Sequence, residues 1–316
     1  MAPGPERAAS PGSGAIPVAA ASLDAEHLGA EAVRRYLRRA GLQARHGLSQ
    51  NFLVDRDVLE ALLEVAAVTP GRRILEIGPG LGVLTGALLE AGAQLTAIEL
   101  DRRLAELLRA ALGERYPERL RLIEGNVLEQ PLDELMRAPW DLVANLPYHI
   151  TSPVLHRVLG TEPRPERFVL MLQREVAERI AAPPGEMSYL SVFVQYHAVV
   201  RVARPVPAAA FEPAPEVDSA ILAGETRPRR LPPALEEDLW RLVQAGFRER
   251  RKMLHNVLPR QLPHVGAARI GAALAAAGID AQRRPQTLSV EEWLALRAAL
   301  GPLERAEATG AGSPGG

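Results

Sequence analysis

Apolar positions recur along this chain at two spacings that take turns, and the turn-taking predicts its architecture. From Ala30 to about Leu42 they return at helical spacing with several arginines between them. The same spacing from Asp57 to Val68 predicts a second helix, stopped by Thr69-Pro70-Gly71. Arg73–Ile77 then reads as a buried strand, Leu84–Ala91 as a helix, Gln94–Glu99 as a strand and Arg103–Gly113 as a helix. Leu120–Glu124 is a further strand, Pro131–Met136 a short helix, and Trp140–Ala144 a strand that ends at Asn145. Pro153–Leu159, Phe168–Leu172 and Arg174–Ala181 continue the alternation, which predicts an α/β fold: a mostly parallel sheet covered on both faces.

The pattern then changes. Leu190–Val202 is β-rich, a proline-punctuated loop spans Pro205–Pro215, and Ala220-Ile221-Leu222 is apolar. The Arg/Pro stretch Arg227–Pro233 marks a boundary, beyond which Leu235–Val257, Ala267–Ala277 and Val290–Leu300 all carry helical patterns. The expected organisation is a tail over 1–25, a Rossmann-like domain over 26–228, a small helical domain over 229–302 and a second tail over 303–316. Both tails are rich in Ala, Gly, Pro and Ser, which predicts disorder.

Composition narrows the classes. A 47% hydrophobic and 24% charged chain of 316 residues has the balance of a globular protein with a large core. The amino-terminal segment has neither the charged start nor the sustained apolar run of a signal peptide or membrane anchor, so a cytoplasmic protein without a membrane partner is expected. Cysteine is absent, which removes disulfides, thiolate metal sites and cysteine nucleophiles, and the seven histidines show no ligand-like spacing. The net charge of −1 argues against a nucleic-acid partner until it is resolved locally. Between Arg227 and Arg260 nine basic residues face four acidic ones. Arg248, Arg250, Arg251 and Lys252 sit there on a predicted helix, as a phosphate-binding cluster or as a solvated face.

Ile74-Leu75-Glu76-Ile77-Gly78-Pro79-Gly80-Leu81-Gly82 places a strand directly before alternate glycines and then a helix. Glycines there let the backbone turn sharply and approach a ligand at the carboxyl ends of the strands. Glu99 stands 21 residues after Gly78 at the end of the second strand, where a carboxylate can accept both hydroxyls of a ribose. The spacing lacks the Gly-x-Gly-x-x-Gly that seats a pyrophosphate, which disfavours NAD. It suits S-adenosylmethionine, a phosphate-free cation for which Glu76 would help organise the pocket. Gly125-Asn126-Val127-Leu128, after the third strand, is either positioned to read the cofactor's adenine or an ordinary Gly-Asn turn.

Asn145-Leu146-Pro147-Tyr148 carries the reactive chemistry. The exocyclic amine of adenine donates its lone pair into the ring, so a catalyst must hold that nitrogen by its hydrogens. An amide oxygen on Asn145 and a main-chain carbonyl beside Pro147 are suitable acceptors. Pro147 restricts Leu146 to extended geometry, and Tyr148 offers a flat face for a base. Alone, the four residues favour an ordinary strand ending in an Asn-x-Pro turn.

In company, these motifs resemble the KsgA-type ribosomal RNA adenine dimethyltransferases, from about Leu48 to Leu300. The resemblance is carried by Gln50-Asn51-Phe52-Leu53, the glycines at Gly78, Asn145 to Tyr148, Phe211-Glu212-Pro213-Ala214-Pro215-Glu216-Val217-Asp218-Ser219 and Arg250-Arg251-Lys252-Met253-Leu254-His255-Asn256. It implies a Rossmann-like fold that binds S-adenosylmethionine through Asn51, Leu53, Gly78, Gly80, Glu99, Asn126, Val127 and Asn145. It further implies that Tyr148 and Phe211 sandwich the target adenine, although a lone Phe in a proline-rich loop can also plug a core. Asn126 stands where the family usually has Asp, and Glu216 where it usually has Lys. The implied activity is N6,N6-dimethylation of two adjacent adenosines in a hairpin near the 3′ end of 16S ribosomal RNA. The implied partner is the assembling 30S subunit, met by a monomer that needs no metal. His149 is expected to shape the pocket rather than act as a base. The rivals are a 23S ribosomal RNA methyltransferase of the macrolide-resistance type and a non-catalytic assembly factor of the same fold.

Overall fold

The computed structural model describes residues 28–44 and 50–303. The tail expected over 1–25, nearly all of that over 303–316, and Leu48-Ser49 at the start of the resembling span lie outside the described residues. Leu303 is described, and it is no tail residue: it is buried, and its N–H donates to Asp238 Oδ2 at 3.2 Å.

Seven strands form one sheet in the order β4 (Leu120–Glu124), β3 (Gln94–Glu99), β2 (Arg73–Ile77), β5 (Asp141–Asn145), β6 (Arg167–Gln173), β9 (Ser219–Thr226) and β7 (Ala198–Val206). The first five are parallel, and β9 pairs antiparallel with both β6 and β7. Strand order reverses between β2 and β5, so a crevice opens at their carboxyl ends, where such sheets bind ligands.

Successive strand residues point to opposite faces, which is why the apolar runs of the sequence feed two cores. Ile74, Val143, Val169 and Met171 face one core with α2 (Arg56–Ala66), α3 (Val83–Glu90) and α4 (Arg102–Leu108). Leu75, Leu142, Leu170 and Leu172 face the other, with the short α5 (Leu132–Leu135), α6 (Thr151–Gly160), α7 (Arg174–Ile180) and α8 (Tyr189–His197). At the amino ends of the strands the buried Asp141 accepts from Arg72 at 2.9 and 2.5 Å and from Arg167 at 2.6 Å, tying β5 to the entry of β2 and to β6. Such a buried carboxylate is tolerated because it is multiply paired.

α1 (Ala30–Arg39) buries Val33, Tyr36 and Leu37 and is anchored by an Arg34–Glu212 ion pair at 2.8 Å. A short antiparallel pair, β1 (Phe52–Leu53) with β8 (Phe211–Glu212), lies beside the crevice and was not foreseen, because two-residue strands leave no periodic signal. The last helices, α9 (Pro233–Phe247), α10 (Leu254–Gln261), α11 (Ala267–Ala276) and α12 (Val290–Leu300), enclose a third core around Trp293 and Leu242.

Two expectations are corrected. The β-rich run Leu190–Val202 is split, being helical to His197 and extended from Ala198. A Ser188/Ser191 capping box starts that helix, and burial of Val192, Phe193 and Val194 outweighs their strand preference. The single helix expected over Leu235–Val257 breaks after Phe247. The N–H groups of Leu254 and His255 donate to the carbonyls of Arg283 and Ala281 rather than to a preceding turn, so a new helix starts there. Among the described residues no helix is long and apolar enough to cross a membrane.

Candidate active site

The crevice is an open cleft between the ends of β2, β3 and β5. Gly78 and Gly80 line it with φ of +67° and +60°, a region that side chains other than glycine rarely adopt. They also admit close neighbours. A Cβ on Gly78 would lie 3.4 Å from the Pro147 ring, and one on Gly80 3.3 Å from Phe52. The glycine motif therefore lets the Asn145 loop and the Asn51 segment close on the end of β2.

Glu99 ends β3 facing this cleft, with Oε2 accepting the Gly80 N–H at 3.0 Å and Oε1 the Asp101 N–H at 2.8 Å. Burial pushes its carboxyl up, and these two N–H groups counter the rise. Asp101 in turn accepts from Gln50 at 3.2 Å and caps α4 through the Arg103 N–H. Asn126 and Val127 line the neighbouring wall. The Asn126 amide oxygen accepts the Leu128 N–H at 3.1 Å and its nitrogen donates to Glu129 at 2.9 Å, so the amide is held in a turn of its own.

Asn145 reaches the cleft from the end of β5. Its Nδ2 donates to the Asn51 carbonyl at 3.3 Å, an assignment that leaves Oδ1 to accept from a ligand. The Leu146 N–H donates to Met171, and the Pro147 carbonyl is taken by the Ile150 N–H at 3.1 Å. The Leu146 carbonyl is the main-chain acceptor between Asn145 and Pro147 in the chain. Tyr148 is half-buried, with its hydroxyl on Ser219 Oγ at 2.7 Å, which steadies the ring. Burial pushes that phenol up, with the Ser219 hydrogen bond opposing.

The chain's likeness to known proteins agrees with this geometry. The profile of the ribosomal RNA adenine dimethylase family matches residues 41–299. The chain belongs to this family. It is 42% identical over 271 residues to ribosomal RNA small subunit methyltransferase A of Opitutus terrae, covering 84% of this chain and 96% of that one. The protein of the same name from Myxococcus xanthus is 41% identical over 284 residues, covering 88% and 99%. Among solved structures, the 23S rRNA methyltransferase ErmE aligns with a TM-score of 0.63 at 30% identity, over 79% of this chain and 99% of that one. A dimethyladenosine transferase from Plasmodium falciparum shares the fold, with a TM-score of 0.63 at 24% identity over 78% and 95%. The chain is thus a ribosomal RNA adenine N6,N6-dimethyltransferase, and the family's methyl donor is S-adenosylmethionine.

The residues fit that donor. Glu76 lines the cleft 1% exposed, with Oε2 lacking a hydrogen-bond partner, and among the described residues no arginine or lysine lines it. A cationic ligand complements such a site. The expected cofactor residues Asn51, Leu53, Gly78, Gly80, Glu99, Asn126, Val127 and Asn145 all line it, as do Leu146, Pro147 and Tyr148.

Phe211 differs from expectation. Its ring is 2% exposed in the core beside Val54 and Ala210, paired with Leu53 across the β1–β8 ladder, and it does not line the cleft. Phe211 is thus not at the cleft wall opposite Tyr148 in this structure; among the described residues Tyr148 and Phe52 are the aromatic residues that line the cleft. Pairing with β1 holds Phe211 inward, a contact the proline-rich loop did not reveal.

The basic cluster is also corrected. Arg248, Arg250, Arg251 and Lys252 lie in the turn between α9 and α10, not on a helix, and all four are exposed. Glu249 does not neutralise them, because it pairs with Arg260 at 2.9 Å and with Gln261. Reasoning from sequence missed Phe52 and Leu100 as lining residues and Ser219 as the tether of Tyr148. Leu100 is 54% exposed at the cleft, an apolar residue directly after Glu99. Its signal was its place at a strand end. Among the described residues no cluster of His, Asp and Glu could hold a metal ion.

Proposed function

We propose that this methyltransferase dimethylates two adjacent adenosines in a hairpin near the 3′ end of small-subunit ribosomal RNA, acting as a cytoplasmic monomer on the assembling 30S subunit. The observation that carries the reading is the Asn145 amide, oriented by the Asn51 carbonyl at the reversal point of the sheet. The two curated relatives at 41–42% identity are named for the small subunit, while the 23S neighbour stands at 30%, which favours the small-subunit target.

Bound S-adenosylmethionine supplies an electrophilic methyl group. The protein's part is to hold it and to prepare the nucleophile. Gly78 and Gly80 bring backbone against the ligand, and Glu99 and Asn126 take its ribose and adenine. Asn145 Oδ1 and the Leu146 carbonyl accept hydrogen bonds from the target amine and draw its lone pair out of the ring. Tyr148 restores part of the stacking lost when the base is extruded, about 1 to 3 kcal/mol. No strong base is required, because the amine becomes acidic only after alkylation. His149, exposed at the rim of the cleft, shapes its mouth.

Arg248, Arg250, Arg251 and Lys252 contact RNA phosphates, a role supported by their exposure and by the turn that presents them. A non-catalytic assembly factor is not favoured, given an acceptor set that serves only chemistry at an amine. The test is Asn145→Ala on undermodified 30S subunits. Methyl transfer should fall at least about 100-fold while donor binding persists. Unchanged transfer would refute the role of Asn145, and modification of 23S instead of 16S RNA would favour the large-subunit reading.

A further inference from the structure

Across the cleft three strand ends stand side by side: β3 with Glu99, β2 with Glu76 and the glycines, and β5 with Asn145. The nucleoside end of the donor belongs with Glu99 and Asn126, and its methyl must reach the amine held at Asn145. A sulfur between them would then sit near the end of β2, the strand that lies between β3 and β5. Glu76 is the charged side chain of that strand's end, on the sheet face that carries Ile74 and is covered by α3.

We infer that Glu76 is the counter-charge of the donor's sulfonium, protonated in the empty cleft, ionised when the cationic donor binds and reprotonated when the neutral product replaces it. The inference rests on the donor site described above and adds how that site tells donor from product. The groups facing Glu76 leave it little alternative. Thr85 of α3 offers a hydroxyl that favours the ionised form, Glu99 of β3 adds like charge, and Asp101 caps α4 beside Glu99. Among the described residues Tyr148 and His149 are the other titratable groups of the cleft, and no lysine or arginine lines it. Burial, with a smaller rise from Glu99 that the Thr85 hydroxyl opposes, pushes the Glu76 carboxyl up to about 8.

A buried carboxyl in such surroundings keeps its proton near neutral pH. A fixed positive charge above it reverses that preference, and the proton leaves to solvent. The donor carries the sulfonium and the product a neutral thioether, while their amino-acid and nucleoside parts are the same. Only the donor should ionise Glu76. Methyl transfer then removes the attraction on the cationic side and helps the product depart.

Calorimetric titration of the whole protein with S-adenosylmethionine, in two buffers of different ionisation enthalpy, counts the proton directly. At pH 7 release of about 0.9 proton per donor is expected, little for S-adenosylhomocysteine, and about 0.9 for an analogue with an ammonium in place of the sulfonium. Glu76→Gln should abolish the release and weaken donor binding about 10-fold, leaving product binding within about twofold. In the wild-type protein the ratio of donor to product affinity should climb about 10-fold per pH unit up to about pH 8 and then level off, and this needs no variant. Equal release with donor and product, release that survives Glu76→Gln, or a flat ratio overturns the inference. Failure of the donor to bind at all would instead sink the cofactor site itself, and this inference with it.

Discussion

Glu76→Gln should make the ligand-free protein increasingly more stable than wild type as the pH rises. The side chain is 1% exposed with an unpartnered oxygen, and burial moves its carboxyl from 4.5 to about 8. The folded state thus holds the proton more tightly than the unfolded chain does. The stabilisation from Glu76 is complete below about 4.5 and is lost as the pH rises through about 8. At the linkage limit this displacement is worth about 5 kcal/mol, with a slope of about 1.4 kcal/mol per pH unit between the two values. A neutral amide does not titrate, so the substitution removes the slope whatever constant change it makes in packing. Urea unfolding of both proteins between about pH 5 and pH 9 reads the result as a widening gap. A gap that stays constant across that range would refute the reasoning, because the carboxyl would then ionise equally in both states. A gap that narrows would reverse its sign.

The other expectations can be checked on single variants. Phe211→Ala should cost about 3 to 5 kcal/mol in chemical unfolding, as emptying a core site does, whereas Phe211→Leu should recover most stability. If Phe211→Ala left stability intact and lowered only methyl transfer, the buried ring would be a stacking group after all. Gly82 has φ of +84°, and a Cβ there would collide with the Leu108 side chain, so Gly82→Ala should lose about 2 kcal/mol or more in urea unfolding. His197 is buried beside Arg164 and Arg229, which with burial as the larger cause hold it down to about 3. Its contribution is present above pH 6.5 and lost as the pH falls towards 3, so His197→Gln should flatten the acid limb of the stability curve. Reversing Arg250 and Arg251 to Glu should weaken RNA binding on all sequences and lower its salt slope by about two, with donor affinity unchanged.

Most of the sheet was legible in the residues alone, because strands buried on both faces need continuous apolar runs and the helices between them need periodic ones. The cofactor motif and Asn145-Leu146-Pro147-Tyr148 were legible for a related reason: in an open α/β sheet the ligand-facing residues sit where strands end, and strand ends can be read locally. The tertiary structure decided what depends on partners far along the chain. Asn145 is oriented by Asn51, 94 residues away, and Tyr148 is tethered by Ser219, 71 residues away. The start of α10 was set by carbonyls of the Ala281–Arg283 segment, which placed the basic cluster in a turn. Phe211 went into the core because β1 pairs with its strand. The ionisation of Glu76 was likewise a matter of tertiary structure, since the sequence names a carboxylate but only burial, with no arginine or lysine lining the cleft among the described residues, pushes it up.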